Sequence, residues 1–186
     1  MIGQLPTALE VGGAPYAIRS DYRDVLHIFS AFSDDDLTDE EKAYVCLKCL
    51  YMTPEAIPPE HLEEAVRKAF WFCDGGDAPK SEPDRIRTLD WSHDESILFP
   101  AVSKAAGFEV RSCEYLHWWV FLGYFGEIGD GLFSTVLHIR QKMARGKPLE
   151  EWESDFVKRN KTLVTLRTAQ EQAEIDETEA FLETIL

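Results

Sequence analysis

One run of eleven residues, YLHWWVFLGYF from Tyr115 to Phe125, constrains this chain more than any other feature. On a helical wheel it is apolar all round, with His117 and Gly123 the only interruptions, so no orientation leaves a face for water. As a helix it is about 16 Å long, roughly half the hydrocarbon thickness of a bilayer, so it cannot span a membrane. The run predicts a central core helix enclosed by neighbours. Trp118 lines up with Tyr115, Leu122 and Phe125, and Trp119 with Leu116 and Gly123, so those neighbours must approach from at least two directions.

A chain of 186 residues can build that enclosure alone, burying roughly 70% of its unfolded surface without disulfides or metals. Lys and Arg number 19 against 34 Asp and Glu, a net charge of −15, which disfavours nucleic acid and anionic membranes and leaves protein as the expected partner. The four cysteines, Cys46, Cys49, Cys73 and Cys113, lie in or beside apolar helical patterns, as reduced thiols do. A reducing cytoplasm is expected, and the opening MIGQLPTALEVGG has neither the basic nor the apolar region of a signal peptide.

Taken in order, Leu9 and Val11 alternate with polar neighbours, Gly12-Gly13 can form a two-residue turn, and Tyr16 and Ile18 alternate on the return: a hairpin, expected to be the only sheet. Ser20 or Asp21 can cap a helix with the stripe Tyr22, Val25, Leu26, Phe29 and Phe32, which the acidic run Asp34, Asp35, Asp36 ends. Thr38 and Glu41 read as a capping box for a second helix burying Ala43, Cys46, Leu47 and Leu50. Pro58-Pro59 introduces a third, with Leu62, Ala65, Val66, Ala69, Phe70 and Cys73 inward. Residues 74–87, DGGDAPKSEPDRIR, form a linker.

Ser92 and Glu95 form a further capping box, opening a helix that Pro100 should kink, with Ile97, Leu98, Ala101, Val102 and Ala105 inside. After the central helix Asp130 can cap another, whose expected core is Leu132, Phe133, Val136, Ile139 and Met143. Glu150, Trp152, Phe156 and Val157 mark a short amphipathic turn or helix, finished by Lys158 and Arg159. The result is a mainly α fold, a compact helical bundle of about six to eight helices with a short N-terminal β-hairpin. Residues 1–161 are read as a single helical domain: hairpin plus three helices over 1–73, linker 74–87 and C-terminal helices 88–161. Residues 162–186 are an acidic tail, helical or partly disordered.

Chemistry is sparse. Cys46 and Cys49 form a CxxC, but mid-helix and without the further ligands of a zinc site, so they read as buried thiols on one helical face. His93, Asp94 and Glu95 beside Trp91 read as capping and surface charge rather than an acid–base cluster. His117 and His138, each in an apolar helix, read as hydrogen-bonded core residues. Gly75-Gly76 lacks the setting of a phosphate loop, and the aspartate run lacks EF-hand spacing. No cofactor, no metal and no enzymatic activity are expected.

Several patches resemble a bacteriophage family known as gene product fifteen, from the tail gene cluster of siphophage-type phages and prophages. EYLHWWVF, Glu114 to Phe121, looks like its "LHWWkF" signature, through Leu116, His117, Trp118, Trp119 and Phe121. LPTALEVGGAPYAIRSDYRDVL, Leu5 to Leu26, resembles its strand pair and "DFR" motif, here Asp21, Tyr22 and Arg23. FWFCDGG, from Phe70 and Trp71 to Gly76, is similar to the family's third-helix ending. LDWSHDESILFPAV, Leu89 to Val102, and FSTVLHIR, Phe133 to Arg140, complete the resemblance. The chain departs from the family at Trp91 and Ser92, where Phe and Glu are usual, at Pro100, and in its acidic C-terminal extension.

The resemblance implies a role in tail morphogenesis: a tail assembly chaperone that binds the tape measure protein and helps recruit tail tube subunits. Such a protein would work in the cytoplasm of the infected or lysogenic host and be absent from the mature virion. The competing expectation is a minor tail or connector component retained in the particle as a homo-oligomeric ring.

Overall fold

The computed structural model describes residues 3–34, 36–77 and 87–166. Asp35, most of the linker and nearly all of the acidic tail lie outside them. Strands β1 (Ala8–Val11) and β2 (Ala14–Ala17) pair antiparallel with Val11 opposite Ala14. Gly12 and Gly13 take φ of 57° and 77°, the left-handed pair that a two-residue hairpin turn demands. Leu9 and Val11 are buried on the inner face.

Helix α1 (Tyr22–Phe32) begins at Asp21, whose carboxylate accepts the Arg23 N–H. It buries Tyr22, Val25 and Ile28, with Leu26, Phe29 and Phe32 partly covered. Helix α2 (Asp39–Leu50) starts with both halves of the Thr38–Glu41 capping box in place and buries Cys46, Leu47 and Leu50. Two 3-10 turns, Pro54–Ala56 and Pro59–His61, lead into α3 (Leu62–Cys73). The second half holds α4 (Glu95–Ala106), a 3-10 turn at Val110–Ser112, α5 (Trp118–Gly126), α6 (Leu132–Ala144), α7 (Glu151–Arg159) and α8 (Lys161–Val164). Eight α-helices and one hairpin among the described residues agree with the architecture expected from the periodicities. Tyr22, Tyr51, Phe72, Trp118 and Phe121 are fully enclosed at the centre, where burying each such side chain stabilises by about 2–3 kcal/mol.

Several expectations are corrected. The aromatic run is not one helix: Tyr115 and Leu116 precede α5, His117 caps it, and Asp21 and His117 form an isolated antiparallel bridge. Nor is the run enclosed all round. Trp118 and Phe121 are fully buried, Trp119, Val120, Leu122, Tyr124 and Phe125 are half-buried, and Tyr115 is 55% exposed. The Ser92–Glu95 box does not form; Asp94 occupies the N-cap of α4 without capping it, because its carboxylate is engaged elsewhere. Gly131, not Asp130, precedes α6, and its N–H donates to Ser134 Oγ. Leu62, Phe70, Leu132 and Met143 are exposed: Leu62, Leu132 and Met143 stand at helix ends where the stripe outruns its cover, whereas Phe70 lies at the side of α3 against Phe32, with Phe72 and Cys73 beyond it buried. Phe72, Phe99 and Ile28 are buried in addition to the expected core residues.

Candidate functional site

The signature residues converge on one junction of three segments. Residues 20–22 and 116–118 exchange backbone bonds: Tyr22 N–H donates to Leu116 O (3.0 Å) and Trp118 N–H to Ser20 O (2.8 Å). Asp21 reinforces them, its Oδ1 accepting Arg23 N–H and its Oδ2 accepting Leu116 N–H (2.9 Å). Arg23 bonds the same carboxylate, donates from Nη2 to Cys113 O (2.7 Å) and Arg111 O (3.2 Å), and lies 4.5 Å over the Tyr22 ring. Tyr22 stacks on Phe121 at 4.7 Å between centroids, and burial pushes its phenol pKa up. The Asp-Tyr-Arg motif and the LHWW motif therefore form a single constellation.

His117 fits it as an N-cap. Its Nδ1 accepts the Trp119 N–H (3.0 Å), and Nε2 lies 3.0 Å from Pro6 O, a carbonyl that can only accept, which assigns the proton to Nε2. Both ring nitrogens are engaged, in keeping with a hydrogen-bonded role. The two tryptophans then reach the third segment. Helix ends leave carbonyls without intrahelical donors, and indole N–H groups can only donate. Trp118 Nε1 bonds Cys73 O (2.8 Å) and Trp119 Nε1 bonds Phe72 O (2.9 Å), so consecutive indoles close the C-terminus of α3. Gly76 lies beneath Trp119, where a Cβ would come within 2.8 Å of the ring. Phe70 and Trp71, 41% and 37% exposed, pack on Phe32 and Trp119 at the rim.

Arg140 stands apart from this junction. It is 4% exposed and all five of its N–H groups find acceptors: Val164 O, Thr88 O, Leu163 O and both oxygens of Asp94 at 2.6 and 2.7 Å. Asp94 is fully buried and also accepts Asp90 N–H, which corrects its reading as surface charge. The ring nitrogens of its neighbour His93 are buried without hydrogen-bond partners. His138 is likewise not a core residue: its side chain is 58% exposed and its Nε2 lies 3.4 Å from Glu153.

Three features escaped the sequence reading. Glu153 is the one buried side chain of α7, bonded to Lys142 Nζ (2.5 Å) and Glu150 N–H (2.7 Å); the ammonium holds its carboxyl below the usual range. The Glu150–Glu153 spacing was its only local signal. Arg19 Nη1 closes α2 through the carbonyls of Lys48, Cys49 and Tyr51. Asp94 had no local signal beyond its place in the family-like patch.

Cys46 is buried and Cys49 half-buried, the latter with its thiol pKa raised by burial. Cys73 is raised by its hydrogen bond with Cys46 and by burial, the opposite of an activated thiolate. Among the described residues no three His, Cys, Asp or Glu side chains gather to hold a metal ion, and no helix is long and apolar enough to cross a membrane.

Fold and junction together define an acidic, mainly helical protein whose most distinctive residues knit its own segments together. The chain belongs to the family described as Bacteriophage Gp15 protein, which matches it over residues 1–166 and places it among phage morphogenesis or structural proteins. No curated protein and no solved structure matches it.

Proposed function

We propose that this protein is a tail assembly chaperone that binds the tape measure protein and helps recruit tail tube subunits. Family membership carries the reading. The physical logic lies in charge and shape. A tape measure is a long, largely helical and apolar chain, prone to aggregate until the tube encloses it. A small helical protein with a net charge of −15 can cover its apolar stripes while keeping the complex in solution. The reading assigns the protein no catalytic step, nucleic acid or membrane, and places it in the host cytoplasm. The engagement of both His117 nitrogens and the burial of Cys46 support a protein that works by contact.

Co-expression with the tape measure protein of the same phage, followed by size exclusion and analysis of purified particles, tests it. The expected result is a soluble complex and particles lacking this chain. Its presence in particles at fixed stoichiometry would make it a structural tail component instead.

A further inference from the structure

The apolar stripe of α6 runs on past its own core. Val136 and Ile139 are buried, but Leu132 at the start of the helix is 49% exposed. It opens onto a groove of roughly 620 Å3 between α4 and the α5–α6 loop, floored by Ile97, Pro100, Ala101, Ile128, Leu132 and Phe133. That size is typical of binding clefts. The lips are charged unequally. The loop side carries Glu127 and Asp130, the α4 side Lys104, and none of the three has an ion-pair partner among the described residues.

We infer that this groove receives an amphipathic helix of a partner protein, its apolar ridge on the floor and a lysine or arginine flank against Glu127 and Asp130. The occupant is fixed by charge complementarity: two carboxylates on one lip, without ion-pair partners among the described residues, and a molecule whose net charge of −15 draws a basic partner. Apolar anchors at helical spacing would continue the α6 stripe outward, as in other helix-in-groove contacts. The inference deepens the assembly reading and rests on it only for the partner's biological identity.

The test uses the full chain and two labelled synthetic helices, each with leucines at i, i+4 and i+7, one flanked by lysines and the other by glutamates, read by fluorescence anisotropy. The lysine helix should bind in preference. The exposed pair Glu127→Lys/Asp130→Lys should weaken that binding about tenfold or more and favour the glutamate helix instead. Ala101→Arg should abolish binding of both, with thermal melting as its control for folding; the rim pair carries the test if it does not fold. Equal binding of the two helices, or indifference to the rim pair, overturns the inference. So does a wild-type dimer that Ala101→Arg disperses without changing helix binding, since the groove would then belong to a second copy. If the two helices bind alike while the wild-type chain keeps the tape measure soluble, the groove falls and the assembly reading stands. If the helix binds as described but no tape measure complex forms, the groove stands and that reading falls.

Discussion

At the scale of single residues, Arg140 carries the heaviest demand. Five N–H groups in a fixed planar fork meet five acceptor contacts, three of them backbone carbonyls from Thr88, Leu163 and Val164. Lysine has three donors and no fork, so Arg140→Lys should cost about 3 kcal/mol, read as a lowered urea midpoint. Glu153 makes a pH-dependent case. Its folded pKa lies below the ordinary glutamate value of 4.5, chiefly through the hydrogen bond from Lys142. Its contribution is therefore fully present above that ordinary value and disappears as pH falls through the lower folded one. Glu153→Gln should melt below the wild type at neutral pH, with the gap closing under acid; a gap independent of pH would contradict this. Arg140 was noticed in the sequence only as the end of a family-like patch. Its partner Asp94 lies 46 positions away and was read as exposed, since a buried ion pair has no periodicity and depends on how helices approach.

At the scale of elements, local signals succeeded where nothing competed for their atoms. Thr38 and Glu41 form their capping box on an exposed helix start, but at Ser92 and Glu95 the buried Asp94 carboxylate takes Arg140 and the turn is built around that pair. The same contrast runs through the hairpin turn. Both glycines have positive φ, yet a Cβ on Gly12 would meet the His61 ring at 2.5 Å, whereas one on Gly13 meets nothing within 4 Å. Gly13→Ala should cost about 1 kcal/mol for its backbone alone, and Gly12→Ala distinctly more, compared as melting temperatures. The hairpin was legible because alternation and Gly-Gly are both local. The start of α5 was not, because pairing of Leu116 and His117 with residues 20–22 overrides an apolar helical pattern.

For the whole molecule, a net charge of −15 on 186 residues sets a uniform self-repulsion against the packing. Raising ionic strength from about 0.01 M to about 0.15 M shortens the screening length from roughly 30 Å to roughly 8 Å and should raise the melting temperature. A melting temperature that falls with salt would mean that surface ion pairs outweigh the repulsion. Periodicity identified which residues are apolar, but not how far along each helix a neighbour reaches, so Leu132 and Met143 were placed inside when they stand at uncovered ends. The junction has a consequence in time as well. The hydrogen bond from Leu116 N–H to the Asp21 carboxylate spans 95 positions, so on the ribosome the first helix emerges long before its partner. At about 5–20 residues per second that delay is roughly 5–20 s, during which the nascent chain must hold Tyr22, Val25 and Ile28 without their final cover.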